Sequence, residues 1–294
     1  MKTTLRLIAL LLAMICLLCG CGAKEIAETT APKQTQATAP TTEPTTEPEP
    51  EPEPINTEAA LRNALETGGR IIMEGDITLS QSLVVSGKIL DGGGYTIYGP
   101  ELQQEEVETE DGKELQNIKD TETAVLFTSG TVENMTIRGA YRCLGDGNGH
   151  SMTGDVRIRN VDAEGTLYAL HTRSGNRNGN LYVENCTLRG WININKVNKA
   201  QFENCTFGWT SEGKNGYFRC FIDTTLIGCN FENLVKENGS TTRYNISFYS
   251  STSGVTLILE DCYVGDTLIT QENVTQLLKV TLRDNTILVR NTEN

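Results

Sequence analysis

One short pattern of apolar and polar positions recurs along the chain: apolar-x-apolar-x-Asn/Asp-apolar-x-apolar. It reads VENMTI at 132–137, VRIRNVDA at 156–163, LYVENCTL at 181–188 and AQFENCTF at 200–207. It returns as TLIGCNF at 225–231, LILEDCYV at 257–264 and TLRDNTI at 281–287. Alternating apolar residues on each side are the period of a strand with one buried face. The polar column falls on Asn134, Asn160, Asn185, Asn204, Gly228, Asp261 and Asp284. Asn, Asp and Gly tolerate left-handed backbone better than other residues, so this column predicts a sharp bend between two strands. The residue after the bend points inward again and is Met135, Val161, Cys186, Cys205, Cys229 or Cys262. Asn285 departs from the pattern in the last repeat, where the stack is expected to open to solvent.

One such coil cannot bury its own interior, whereas stacked coils can. Upstream, Asn56 or Thr57 can cap a helix running through Leu65, a lid for the open first coil. RIIMEGDITLSQSLVV and KILDGGGYTIYG then read as opening coils. The pattern resembles the pectin-lyase-like family. That resemblance implies an all-β fold over 55–294: a right-handed, single-stranded parallel β-helix with a short N-terminal capping helix.

The beginning of the chain carries a different signal. Lys2 and Arg6 precede an unbroken apolar stretch, residues 7–18. It is too short to span a bilayer, which takes about 20 residues, but it suits a secretory core. Leu18-Cys19-Gly20-Cys21 follows and resembles the bacterial lipobox. The resemblance implies a signal peptide over 1–20, lipidation of Cys21, and a position on the extracytoplasmic face of the cell membrane. Contact with the membrane is then expected through the lipid alone. Residues 21–54, rich in Thr, Pro and Glu, have too little apolar surface to fold and read as an extended, disordered stalk.

Charge adds less than its size suggests. The net charge is −13, but the stalk holds seven Glu against two Lys, and 101–122 holds nine acids against two Lys. The repeats are therefore close to neutral, and nucleic acid is not an expected partner. The segment 101–122 reads as a flexible acidic insert in an early coil. Of nine cysteines, Cys16 and Cys19 leave with the signal peptide and Cys21 takes the lipid. The four cysteines after the bends read as small buried hydrophobes, with pairwise disulfides between neighbouring coils as the alternative. Zinc is not expected, because the cysteines run in a line without histidine.

The family resemblance directs attention to the outward face of the third strand in each coil. These strands are read as YRCL (141–144), YALHTR (168–173), WININK (191–196), YFRCFI (217–222) and ISFY (246–249). With their apolar members pointing in, the outward row is expected to hold Arg142, His171, Asn193, Arg219 and Tyr249. Arg173, Lys196 and Asp146 lie nearby in sequence. A glycine precedes an aromatic residue in four coils, at Gly139/Tyr141, Gly165/Tyr168, Gly190/Trp191 and Gly208/Trp209. If exposed, these rings form a stepped platform for sugar faces, with Trp209 expected to be the more exposed tryptophan. If they point inward they are core.

The acid pairs of polygalacturonase-type enzymes are missing, and Asp146 and Asp223 are too few and too far apart for a calcium-dependent lyase. No cofactor or metal is expected, and calcium has no support. The expectation is a monomeric, lipid-anchored module that binds glycan or cell-wall polysaccharide through Trp191, Trp209, Asn193, Arg219 and Tyr249 without catalysis. One alternative is a polysaccharide lyase or glycoside hydrolase with a non-standard site around His171, Arg142 and Arg173. Another is a structural spacer or adhesin.

Overall fold

The computed structural model describes residues 54–109, 112–173, 175 and 178–292. Cys21, the expected signal peptide over 1–20 and nearly all of the expected stalk over 21–54 lie outside the described residues. From residue 70 the chain winds through successive coils whose strands stack in parallel on those of the next coil. This is the expected all-β, right-handed parallel β-helix. Each coil contributes strands to three faces, here called sheets A, B and C in chain order. Sheet A precedes the Asn bend, sheet B follows it, and sheet C comes last.

The register shows how the sequence pattern becomes a core. In sheet A the inward column runs Ile71, Leu90, Val132, Ile158, Val183, Phe202, Leu226, Leu259 and Val289. In sheet B it includes Ile97, Ile137, Ala163, Leu188, Phe207 and Phe231. In sheet C it includes Val125, Leu144, Leu170, Ile192, Phe218 and Ile246. These columns meet in one apolar core. Because side chains alternate with period two, a slip of one residue would turn a whole column to solvent, so burial fixes the register.

The bends between sheets A and B behave as expected. Asn134, Asn160, Asn185, Asn204 and Asp261 have φ between 49° and 55°, and Gly228 has φ 59°. Their side chains also link coils. Asn160 Nδ2 donates to Asn134 Oδ1 at 2.9 Å, and Asn134 Nδ2 donates to Asp91 Oδ1 at 3.0 Å.

The seventh repeat differs from expectation. Lys279–Thr281 belongs to sheet C and Thr286–Arg290 to sheet A, so 281–287 spans the corner between those sheets and contains no A–B bend. Apolar residues flank both kinds of corner at similar spacing, and the pattern cannot tell them apart. The left-handed residue is Arg283, φ 52°, not Asp284. Asn285 is buried and does not open to solvent: its Oδ1 accepts from the Val255 N–H at 2.9 Å and its Nδ2 donates to Thr252 O at 3.0 Å.

Helix α1, Glu58–Thr67, sits at the beginning of the stack with Leu61 and Leu65 buried in the core. Thr57, rather than Asn56, is its cap, accepting the Ala60 N–H through Oγ1 at 3.2 Å. The last sheet A strand has pairing partners on one side only. Parallel alternation points the Ile287 and Val289 backbone groups at its open edge. Gln271 occupies both, accepting the Val289 N–H at 2.9 Å and donating to Ile287 O at 3.4 Å. The acidic insert forms an antiparallel hairpin, Gln104–Thr109 against Gly112–Asn117. No helix among the described residues is long and apolar enough to cross a membrane.

The bend cysteines are buried free thiols. Each donates to the carbonyl two residues before it, Cys186 to Glu184 O at 3.2 Å and Cys205 to Glu203 O at 3.3 Å, for example. Burial pushes the Cys205 and Cys229 thiols up, away from the reactive thiolate form.

The bend carries a direct test. Asn160→Ala loses the inter-coil hydrogen bond and strains a left-handed position, at an expected cost of about 1–2 kcal/mol. Asn160→Gly keeps the backbone free and should cost less. Urea unfolding at constant m checks the order, and equal midpoints for Ala and Asn would refute the role given to the bend.

Candidate functional site

The outward face of sheet C gathers the polar and aromatic residues that the core does not use. Strand pairing sets them in two adjacent rows. One row runs Gly145, His171, Asn193, Arg219, Ser247 and Thr281. The other runs Arg142, Tyr168, Trp191, Tyr217, Asn245 and Lys279. His171, Asn193 and Arg219 are thus on successive coils in one row, as expected. Arg142 is a correction, since it pairs with Tyr168 in the neighbouring row, while Gly145 holds the place beside His171. Tyr249 is another, because Ser247 takes the row position and Tyr249 lies just beyond its strand, Asn245–Phe248.

Four rings climb this face. Tyr141 and Tyr168 meet edge to face with centroids 6.0 Å apart, Tyr168 and Trp191 likewise at 5.5 Å, and Trp191 and Tyr217 are tilted at 5.5 Å. All four are half-buried, presenting part of a ring to solvent. Trp209 does not belong to this ladder. It opens a loop that turns back, so its indole is partly buried against the core, beside Tyr244 at 6.2 Å. Its Nε1 is buried without a partner. Tyr217, where the chain re-enters sheet C after the loop, takes the place expected for Trp209.

His171 is the chemical centre of the face. Its imidazole stacks on the Tyr168 ring at 4.4 Å and is 8% exposed. Burial first, then the charges of Arg142, Arg173 and Arg219, lower its pKa to about 3. Both causes penalise imidazolium, and the residue is therefore neutral at physiological pH. Burial also pushes the Tyr168 phenol up, helped by Tyr141 and opposed by the neighbouring arginines.

Glu122 makes the ion pairs on this side of the face. Arg142 Nη1 lies 2.5 Å from Glu122 Oε2 and Arg173 Nη2 lies 3.4 Å from it. Asn117 Nδ2, at the base of the acidic hairpin, donates to Glu122 Oε1 at 3.1 Å. The Arg173 N–H donates to Asp146 Oδ1 at 2.6 Å. The structure brings His171, Arg142 and Arg173 together, with Asp146 beside Arg173, and adds Glu122 from the end of the acidic insert. No local signal marks Glu122. It reaches Arg142 only because adjacent coils stack.

Several polar atoms here lack partners. Arg142 Nε, His171 Nδ1, Asn193 Oδ1 and Asn245 Oδ1 are all buried without a hydrogen bond, the first three on successive coils and Asn245 two coils beyond Asn193. Buried polar groups without partners are uncommon and costly. Among the described residues sheet C holds four such atoms, against one on sheet A at Arg159 and one on sheet B at Asp162.

No protein-family model matches the chain, and no curated protein matches it. Among solved structures the chain is similar to the pectin methyl esterase of the rice weevil, with a TM-score of 0.33 and 13% sequence identity. That match covers 80% of this chain and 89% of the other. What the strand pairing defines is a parallel β-helix whose sheet C carries a ladder of rings beside a row of histidine, amide and arginine.

The state of His171 has a measurable consequence. In the unfolded chain a histidine protonates near 6.5, while in the fold His171 stays neutral down to about 3. Between these values the unfolded chain binds the extra proton, so stability falls with falling pH, by up to about 1.4 kcal/mol per pH unit. His171→Gln should flatten that part of the pH–stability curve. An NMR titration showing the imidazole protonating near 6.5 would overturn the description.

Proposed function

We propose that the protein is a lipid-anchored module on the extracytoplasmic face of the cell membrane that binds glycan or cell-wall polysaccharide along sheet C. The observation that carries this reading is the ring ladder Tyr141, Tyr168, Trp191 and Tyr217 beside unpaired polar atoms of Arg142, His171 and Asn193. Rings offer apolar area at low conformational cost, and fixed polar groups next to them set the orientation of a hydroxylated ligand. Asn193 and Arg219 act as these polar groups, with Tyr249 at one end. Trp191 sits mid-ladder. Trp209 supports the loop from behind. The anchor is the lipid on Cys21, supported by the Leu-Cys-Gly-Cys sequence at the end of the apolar stretch.

A second reading has an observation of its own. A neutral histidine among three arginines suits abstraction of a proton next to an arginine-neutralised carboxylate, as in elimination from a uronate. Against it stands the low basicity of this imidazole. A general base works best with a pKa near the working pH, and about 3 is far below that. Binding without bond cleavage is therefore the better reading.

Incubating the full-length chain with neutral and uronate polysaccharides, followed by size-resolved analysis, separates the two. Co-migration with intact polymer is expected, and Trp191→Ala should weaken it about tenfold, the effect of losing about 1.4 kcal/mol. Polymer shortening that His171→Ala abolishes would replace the binding reading with the enzymatic one. No association with any polymer would leave a spacer or adhesin.

The anchor is tested in the producing cell. Cys21→Ala should move the protein from the membrane fraction to the soluble one, and mass spectrometry of the native N-terminal peptide should show an acylated Cys21. An unmodified Cys21 would refute the anchor.

A further inference from the structure

The charges on sheet C are distributed unevenly, and the unevenness locates a second kind of recognition. Arg142 and Arg173, on the early coils, spend their charge on Glu122. Three to five coils beyond Arg142, a cavity of about 270 Å³ opens on the same face. Arg219, Lys279 and Arg283 line it, together with Ser247, Thr281 and Tyr249. No carboxylate lines it, and none of these three cations makes an ion pair among the described residues.

Two features bear on these charges, and the first holds that of Arg219 in place. The Arg219 guanidinium lies 4.8 Å from the Tyr217 ring centroid, 5.8 Å from Tyr249 and 5.9 Å from Trp191. Its Nε donates to Tyr217 Oη at 3.2 Å, and that hydroxyl also hydrogen-bonds Ser247 Oγ. The rings and the hydroxyl therefore position the guanidinium before any ligand arrives, which reduces the ordering cost of binding. Arg283 sits in left-handed backbone, φ 52°, where an arginine is uncommon. At this corner Asn or Gly would be easier for the backbone, and the arginine instead delivers a charge to the cavity.

We infer that this cavity is an anion site for a doubly charged tetrahedral oxyanion, a phosphate or sulfate group, carried as a substituent on the bound polymer. The argument is one of charge and donor type. Three unpaired cations surround one small space, so a single carboxylate would leave most of their charge unanswered, whereas a dianion answers more of it. The hydroxyls of Ser247, Thr281 and Tyr249 add further donors around the same space, more than the two oxygens of a carboxylate can answer. The inference rests on the glycan reading only for the polymer that carries the group. The affinity of the cavity for the anion stands by itself.

The test is calorimetric titration of the full-length chain, at low ionic strength, with inorganic phosphate, inorganic sulfate and acetate in turn. Phosphate or sulfate should bind saturably at one site, at least about tenfold more tightly than acetate, and more weakly as salt is added. The double variant Lys279→Gln with Arg283→Asn should lose about tenfold or more of that affinity. Both residues are exposed, and Asn tolerates the left-handed position, so the fold is expected to persist; an unchanged thermal midpoint checks this. Arg219→Gln alone provides a second variant with both corner residues intact, and it too should weaken the anion. Absence of saturable binding, acetate binding as tightly, or unchanged binding in both variants would overturn the proposal.

Sulfated or phosphorylated oligosaccharides and their neutral counterparts complete the test. Neutral sugars that bind and depend on Trp191, with no preference for the charged forms, would sink the anion site and keep the glycan reading. Inorganic anions that bind while no glycan does would do the reverse.

Discussion

The structure depends on the backbone hydrogen bonds that each coil makes to the coils before and after it. A single coil has no interior, so nothing holds its strands until a second coil pairs with them. Pairing in turn requires every coil to change direction at corresponding points, which is the work of the left-handed residues at Asn134, Asn160, Asn185, Asn204, Gly228 and Asp261. Once these bends align, period-two alternation puts one set of side chains in the core and the other outside. The columns of sheet C follow from the same constraint. His171, Asn193 and Arg219 are neighbours because Leu170, Ile192 and Phe218 are stacked beneath them.

The two ends of sheet C differ chemically for a structural reason. The early coils carry the hairpin, and the chain leaving it brings Glu122 to Arg142 and Arg173. Among the described residues no carboxylate pairs with Arg219, Lys279 or Arg283 on the late coils. Between them, His171 stays neutral because burial and the arginines both oppose its protonation. One continuous face thus passes from an internally balanced end, through uncharged rings and amides, to a cationic end.

The fold was largely legible because its signal repeats: each bend in the pattern was checked by the others. The one failure, at 281–287, came where a different corner shares the same spacing of apolar residues. The site was legible where an inward neighbour anchored the count. Leu170 and Ile192 place His171 and Asn193 correctly. Arg142 was misplaced because Leu144 pairs with Leu170, which brings Gly145 rather than Arg142 level with His171. Tyr249 was misplaced because Ile246 pairs with Phe218, which brings Ser247 level with Arg219. Trp209 and Glu122 were misjudged for a deeper reason, since a loop folding back and a contact across coils leave no local periodicity.

Gln271 has a consequence beyond its two hydrogen bonds. A stack of parallel strands is in principle an open-ended template, because its last strand offers the next one the same ladder that it received. Here the side-chain amide of Gln271 imitates a fragment of that next strand and fills the vacant ladder positions at Ile287 and Val289. At the opposite end helix α1 lies across the first coil. The sheet A ladder is therefore closed at this strand by its own chemistry: an edge that could template another strand meets a side chain that impersonates one.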